Sequence, residues 1–381
     1  MGLLLLFALG LLSKESTAVL PAVFCLADYF RGRTWPDGAL PSSLPPPGLR
    51  QILGRRKWVY LGCLVLAFPY LLHRVAISRH TGYMADAGWI GGTIGSHVLS
   101  AAKAQLLLLW RLLFPLRLVA DYSPRHWIYA SGWTDPVGWV AVVALGSAVL
   151  LTVRSFRRNS WAGFAGAFMV ATMLPTSQVV RLTELVAEHY LYVPLLGFGI
   201  LVARLDAALR RNPLPYAPLA ATAAITALAV FYAGRCWLRN RDYRNSLVFW
   251  KAVERDAPEN ARAQVSLGVW ERLAGVPPHQ YIKRFERAIE LDPKISSGWA
   301  NLGFELMRQQ RYAEAEKALD RALELEPNAA EFRAGMAALY LSQWRISDAE
   351  PYLEWLRKHD PRNPKLEVME LLLERMRRGE R

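Results

Sequence analysis

Residues 299–327 read WANLGFELMRQQRYAEAEKALDRALELEP, and this stretch decides the fold of the C-terminal part of the chain. The small residues Gly303 and Ala315 stand where two antiparallel helices approach closely, and Pro327 ends the second helix because proline cannot continue the hydrogen-bond ladder. Acid–proline dipeptides recur every 34 residues, at Asp292-Pro293, Glu326-Pro327 and Asp360-Pro361. The spacing predicts a repeated pair of helices.

A period of 34 residues is that of the tetratricopeptide repeat, or TPR. The middle unit carries the signature of that repeat at Trp299, Leu302, Gly303, Ala315, Leu319, Ala322 and Pro327. Residues 261–294 and 329–362 keep part of the same signature. We therefore predict about three repeats over residues 258–381. An amphipathic, basic capping helix within residues 364–381 ends them, because a terminal repeat needs a solvated outer face.

The chain as a whole is too apolar for an ordinary soluble protein, and its apolar stretches of membrane length lie before about Trp237. Of the 381 residues, 53% are hydrophobic, whereas the 20% that are charged are too many for a purely membrane-embedded chain. Candidate membrane spans, near the about 20 residues that a bilayer core requires, are roughly 17–30, 58–78, 134–153, 161–177, 190–209 and 216–237. We predict an all-α protein with a polytopic membrane domain over 1–237, a junction helix over 238–257 and a TPR α-solenoid.

Basic residues between the apolar stretches predict the orientation in the membrane. Arginines and lysines concentrate in residues 31–57, after residue 153 and after residue 203, and the positive-inside rule places these loops in the cytoplasm. They share one side only if residues 94–119, which carry Lys103 and two arginines, do not cross the membrane. We therefore predict an amphipathic helix there, lying at the opposite surface, and an extracytoplasmic TPR array.

Charge and cysteine usage exclude several function classes. The net charge of +14 arises partly from these loops, and no recognition motif accompanies it, so we expect no nucleic-acid partner. Cys25, Cys63 and Cys236 all lie within apolar stretches, which predicts neither a disulfide framework nor a zinc site. We expect no metal and no cofactor, because no second His or Cys stands at metal-ligand spacing from His189.

Two polar clusters interrupt the apolar sequence. Lys14-Glu15 lies inside an apolar run that begins almost at the first residue, and Glu184, Glu188 and His189 precede the next candidate span. Charges at a membrane boundary are costly, and this makes them candidates for function. The alternative interpretation is an interfacial belt in which Lys14 snorkels toward water. The residues alone leave both interpretations open.

The first dozen residues do not read as a signal peptide, because they have neither a basic n-region nor a cleavage-site motif. They are also too few to cross a bilayer alone. We interpret them as the last turns of a longer membrane helix. The expectation is a chain with a misplaced start codon or from a truncated gene.

Four segments together resemble one family. They are LLSKESTAVLPAVFCLADYF (11–30), LLFPLRLVADYSP (112–124), LPTSQVVRLTELVAEHYLYVPLLGFGILVA (174–203) and RNSLVFWKAVERDAPENARAQVSLG (244–268). In this order, and ahead of TPRs, they are similar to the transmembrane-and-TPR O-mannosyltransferase-like proteins. Those proteins belong to the GT-C class of polyprenyl-phosphate-sugar glycosyltransferases, which includes bacterial members. The resemblance covers nearly the whole chain.

The resemblance implies an integral membrane enzyme, in a bacterial inner membrane, that transfers a sugar from a lipid-phosphate donor to a protein hydroxyl and inverts the anomeric centre. Such a reaction needs a carboxylate base and cations that hold the leaving phosphate. Lys14 matches the family's "SKE" position, and with Arg181 and His189 it is a candidate contact of the donor phosphate. Glu188 matches the acid of the family's "AERYLYLP" motif, in which His189 replaces the usual arginine. Glu184 and Asp121 are further candidate bases.

One departure from the family bears on activity. The family's catalytic acid lies in a first extracytoplasmic loop that would precede Met1 in this chain. We therefore expect an incomplete and inactive glycosyltransferase homologue whose TPR array meets a protein partner or acceptor. The alternative is a non-catalytic, membrane-anchored TPR scaffold for protein–protein interaction.

Overall fold

A computed structural model describes residues 4, 7, 19–34, 54, 57–80, 89–116, 118, 119, 121, 122, 128–158, 160–178, 185–211 and 214–379. The described part is helical throughout and holds no β-strand, which confirms the predicted all-α class. The chain divides into two compact units. The first comprises Met1–Leu118 and Arg125–Leu238, and the second comprises Val119–Pro124 and Arg239–Arg381.

Among the described residues, seven helices belong wholly or mainly to the first unit: α1 (Leu20–Thr34), α2 (Lys57–His80), α3 (Ile94–Leu113), α4 (Pro136–Arg157), α5 (Trp161–Met173), α6 (Pro194–Arg210) and α7 (Ala217–Asp242). Short 3-10 turns cover Ile90–Gly92, Leu174–Thr176 and Glu188–Leu191. Helices α3 to α6 pack in sequence, each on the next, and α1 packs on α5. Each predicted span therefore coincides with a helix.

Two of these helices, α4 and α7, are long and apolar enough to cross a membrane. Both leave almost all of their apolar surface uncovered by the protein, as lipid-facing helices do. Helix α5 has only 13 residues, and the last turns of α6 contain Arg204, Asp206 and Arg210, so the other predicted spans do not reach the same length and apolarity. Membrane insertion is thus indicated most strongly by α4 and α7.

A tight turn connects α4 to α5, and the backbones of the two helices come into close contact beside it. Ser160 caps α5 by accepting a hydrogen bond from the Gly163 N–H at 3.0 Å, and its hydroxyl also donates to the Ser155 carbonyl. A Cβ atom at Gly163 would lie only 2.2 Å from the backbone nitrogen of Phe156. Glycine is required at this position because a methyl group would overlap the backbone of α4, and closely packed backbone cannot move far enough to make room for it.

The N-terminal apolar run is represented by two described residues. Leu4 and Phe7 are both helical. Phe7 is 1% exposed and packs in a small cluster with Cys63 of α2. These contacts agree with the interpretation of the run as part of a helix.

The second unit is a stack of antiparallel helix pairs. A junction helix, α8 (Ser246–Asp256), is followed by α9 (Ala261–Leu273), α10 (Pro278–Leu291), α11 (Ser296–Arg308), α12 (Tyr312–Leu325), α13 (Ala330–Ser342), α14 (Ile346–His359) and α15 (Leu366–Arg377). Helices α9 to α14 form the three predicted pairs, and α15 packs on the last of them. The first unit's helix α7 continues to Asp242, beyond the boundary expected at residue 237.

The signature residues of the middle repeat hold α11 against α12. Ala315 and Ala322 are fully buried between the two helices, and Trp299 and Leu302 pack against the same core. Pro327 stands two residues beyond the end of α12 at Leu325. The predicted helix–turn–helix repeat is therefore present with the expected small-residue contacts.

Candidate functional site

The six candidate site residues from the first part of the sequence fall into three groups. Lys14, Arg181 and Glu184 lie outside the described residues. Glu188 and His189 begin the 3-10 turn Glu188–Leu191, which contacts α3 and α6 of the first unit. Asp121 belongs to the second unit.

Asp121 packs against the first TPR helix. Its carboxylate lies 3.5 Å from the Arg262 guanidinium, and its carbonyl oxygen accepts a hydrogen bond from the Asn260 amide at 3.4 Å. The Arg262 guanidinium also lies over the Trp250 ring. Through these contacts, Asp121 packs within the second unit, beside the connection between α8 and α9.

Glu188 and His189 lie on a turn that is accessible from outside the protein. The Glu188 side chain is half-buried, whereas the His189 side chain is exposed and its ring packs edge-on against Tyr190, with ring centroids 4.7 Å apart. Tyr192 is 72% exposed. The partly covered carboxylate of Glu188 can accept a proton, and the exposed imidazole of His189 beside it can approach a phosphate.

Helix α3 contacts this turn and carries buried polar side chains around about half of its circumference. We call this set, Ser96, His97, Ser100, Lys103 and Gln105, the polar face of α3. All five side chains are buried, although α3 is otherwise apolar. Thr93 and Ser96 form a capping box at the start of the helix, and this fixes where the polar face begins. Such a concentration of buried polar groups requires partners on the neighbouring elements.

The first partner is Asp135, at the start of α4. Lys103 Nζ lies 3.1 Å from Asp135 Oδ2, and the two side chains are 7% and 11% exposed. The other carboxylate oxygen accepts the Gly138 N–H at 2.7 Å and so caps α4. The position of α3 at the membrane surface stays a prediction, but Lys103 lies on a buried side of this helix. Its charge is matched inside the protein, which costs less than leaving it unpaired.

The second set of partners is the turn that follows α5. Gln105 Nε2 donates to the Thr176 carbonyl at 2.6 Å, and one ring nitrogen of His97, Nε2, lies 3.1 Å from the Gln178 carbonyl oxygen. Gln178 is 1% exposed and has a φ of 65°, in the left-handed region that non-glycine residues rarely occupy. Two side chains of α3 therefore clamp this turn.

An apolar groove of about 460 Å³ runs between α3 and α4. It is lined by Leu106, Trp110 and Leu113 from α3 and by Val137, Ala141, Ala144 and Leu145 from α4, with the Lys103 side chain among them. Trp110 and Leu113 are about half exposed. The groove has the apolar lining that suits a hydrocarbon chain.

Sequence reasoning did not identify the polar face of α3. The available signal was helical spacing, since Ser96, Ser100 and Lys103 recur at intervals of four and three residues within an apolar helix. Their partners Asp135 and Gln178 are distant in the sequence and give no local signal. In the part of the chain that the structure describes, no group of three His, Cys, Asp or Glu side chains could hold a metal ion.

Comparisons with known proteins identify a repeat family and one similar protein. The tetratricopeptide repeat family, TPR_19, matches residues 306–367. The protein O-mannosyl-transferase Tmtc3 of Drosophila melanogaster is 26% identical over 216 residues, which are 55% of this chain and 23% of that protein. The chain therefore carries TPRs and is similar, over part of its length, to an O-mannosyl-transferase, but it spans less than a quarter of that relative.

Proposed function

We propose that this chain is an O-mannosyltransferase-like membrane protein, with the first unit as part of a GT-C-like fold that binds a polyprenyl-phosphate-sugar donor. The observation that carries the proposal is the buried polar face of α3, set in an apolar helical unit and joined in one chain to a TPR array. The similarity to Tmtc3 supports the sugar chemistry, because that protein's name specifies mannosyl transfer.

The proposed reaction assigns roles to the candidate residues. The acceptor hydroxyl attacks the anomeric carbon of the donor, its proton passes to a carboxylate, and the carbon–oxygen bond to phosphate breaks with its electron pair leaving on the phosphate. The family's own catalytic acid is expected not to be among these residues. If this chain transfers a sugar by itself, the base is Glu188, with its partly covered carboxylate, or alternatively Glu184. Lys14, Arg181 and His189 are proposed to hold the phosphate as its charge develops.

The apolar groove between α3 and α4 is proposed to hold the polyprenyl chain. Its lining is almost wholly apolar, and α4 is one of the two helices long enough to cross a bilayer. A chain of isoprene units lying there would keep the phosphate at the membrane boundary. The charged headgroup needs this position because phosphate is costly to bury in hydrocarbon.

The TPR array is proposed to recruit the protein acceptor on the extracytoplasmic side of a bacterial inner membrane. Stacked TPR helix pairs form an extended concave surface that suits an extended peptide. In the sequence the array follows α7 and the junction helix α8, so the acceptor site and the donor site belong to one chain. The membrane-anchored scaffold is the alternative, in which the array recruits partners and the first unit binds no donor.

Donor binding separates these two functions. Photoreactive polyprenyl-phosphate-mannose should label the first unit of the full chain in lipid nanodiscs, and unlabelled donor should compete. Lys14→Ala should reduce labelling about tenfold, the effect of about 1.4 kcal/mol of lost phosphate contact. Lys358→Ala, at an exposed position in the TPR array, is the matched control and should leave labelling unchanged.

A scaffold that binds no donor would show no competed labelling of the wild-type chain. Equal labelling of the wild type and Lys14→Ala would remove Lys14 from the phosphate site while leaving donor binding in place.

A further inference from the structure

Atom Nδ1 of His97 is a buried hydrogen-bonding atom without a partner. The His97 residue is only 8% exposed. Its other ring nitrogen, Nε2, lies 3.1 Å from the Gln178 carbonyl oxygen. A carbonyl oxygen only accepts hydrogen bonds, so Nε2 carries the hydrogen and Nδ1 of the neutral ring is an acceptor. This acceptor faces no donor in the described part of the protein.

The surroundings hold the imidazole in one orientation. The Gln178 carbonyl belongs to a buried residue with a φ of 65°, and such a strained backbone persists only where neighbouring contacts determine it. Gln105 fixes the same turn through the Thr176 carbonyl. The Trp89 ring packs edge-on against the imidazole at 5.3 Å. A ring that is clamped on one nitrogen and unbonded on the other is suited to recognition.

The Trp89 ring connects the buried imidazole to the surface of the protein. Its side chain is 53% exposed, although it contacts the buried imidazole. A ligand that binds at the Trp89 side chain would therefore lie one ring away from His97.

We propose that His97 binds a hydroxyl group of the substrate, with Nδ1 accepting the hydrogen bond. This inference rests on the proposed function and adds a recognition residue that the family resemblance did not supply. A neutral acceptor in a dry site pairs best with a neutral O–H donor, because a charged ligand group would have to lose its hydration. A sugar hydroxyl of the lipid donor and a Ser or Thr hydroxyl of the acceptor share this chemistry.

Two substitutions separate recognition from a purely structural role. In His97→Gln, the side-chain amide nitrogen occupies the place of Nε2 and can still donate to the Gln178 carbonyl, but the acceptor at Nδ1 is lost. In His97→Asn, the amide oxygen occupies the place of Nδ1, but the bond to Gln178 is lost. If His97 recognises a hydroxyl group, His97→Gln should lower the affinity for the ligand. If His97 has only a structural role, His97→Asn should lower the stability of the protein.

The test uses the full chain in lipid nanodiscs with three probes. These are polyprenyl-phosphate-mannose, polyprenyl phosphate without a sugar, and a threonine-containing peptide. We expect the wild type and His97→Asn to bind the mannosyl lipid more tightly than the sugar-free lipid. His97→Gln should lose this sugar-dependent gain, about tenfold, the effect expected for one buried hydrogen bond, while keeping the wild-type thermal unfolding midpoint.

The other outcomes of this test also show whether His97 binds a hydroxyl group and which molecule supplies it. If His97→Gln loses peptide affinity and keeps the sugar-dependent gain, the hydroxyl belongs to the acceptor, and the proposed chemistry stands. If His97→Gln binds all three probes as the wild type does, His97 is a structural residue, and this inference falls while donor binding remains. If the wild-type chain binds none of the probes, the proposed function fails and this inference fails with it.

Discussion

At the scale of single residues, the Lys103–Asp135 ion pair is the strongest electrostatic feature in the described part of the first unit. Both charges are almost completely removed from solvent, and Asp135 also caps α4 through the Gly138 N–H. Burying two charges carries a desolvation cost that only good geometry and further hydrogen bonds offset. The pair therefore adds specificity to the α3–α4 contact more than it adds net stability.

Removing one member of this pair should lower the stability of the protein far more than removing both. Lys103→Met leaves the Asp135 carboxylate buried without its cation, and Asp135→Asn leaves the Lys103 ammonium alone, so each should lower the unfolding free energy by about 3–5 kcal/mol. The double variant should recover most of that loss. Thermal unfolding of the four proteins in nanodiscs, as a double-mutant cycle, measures the coupling.

The pair between Asp206 and Arg210 is the control for this cycle, because it also joins an acidic and a basic side chain but is more exposed, at 21% and 44%. Arg210→Met should change the unfolding midpoint little by comparison. Additive effects of the two substitutions at 103 and 135 would contradict a coupled buried pair.

A single sequence could not predict this pair. Lys103 interrupts an apolar helix, and its positive charge was one reason to predict that this helix lies at the membrane surface. Asp135 is 32 positions away and stands before α4 as an ordinary capping residue. Only the packing of α3 against α4 brings the two together, and that packing depends on Gly95 and Gly138, which admit Trp133 and Leu99 at close range.

At the scale of helices, the TPR pairs show how small residues determine packing. A Cβ atom at Gly303 would lie 2.8 Å from Leu319 Cγ and 3.2 Å from the Ala315 carbonyl oxygen. Leu319 is fully buried in the core shared by α11, α12 and α13. It therefore has little space into which it can move.

Gly303→Ala should destabilise the second unit despite alanine's better helix propensity. Overpacking of this kind costs about 1–3 kcal/mol, more than the roughly 1 kcal/mol that alanine gains over glycine in a helix. Hydrogen exchange of α11 and α12 in the full chain measures the loss directly. Gly146→Ala is the control, because a Cβ there meets nothing within 4 Å, and it should not reduce protection in α4. Unchanged protection of α11 in Gly303→Ala would contradict the close contact.

Helices were predicted well because their signals are local. The 34-residue period and the small residues of the middle repeat indicated the helix pairs that the structure contains. Boundaries were less certain, since α7 runs on to Asp242 through charged residues that carry no stop signal. The inclusion of Val119–Pro124 in the second unit depends on contacts with Arg262 and Asn260, which no local pattern reveals.

At the scale of the whole molecule, we propose that the apolar helical unit binds a lipid-linked sugar and that the TPR array recruits an acceptor. The two functions must be available on one side of the membrane, because a transferase has to bring donor and acceptor into a single geometry. The polar face of α3, the Glu188 turn and the TPR pairs are the parts of the described structure on which this account depends.

The most direct test of this account is the side of the membrane on which the TPR array lies. Cys25, Cys63 and Cys236 are first replaced by serine, and single cysteines are introduced as Asn328→Cys in the exposed turn after α12 and as Ser42→Cys within the arginine-rich segment 31–57 of the sequence. A membrane-impermeant maleimide is then added to intact bacterial spheroplasts. The account predicts labelling of Asn328→Cys in intact spheroplasts and of Ser42→Cys only after lysis, whereas labelling of Ser42→Cys alone would contradict it.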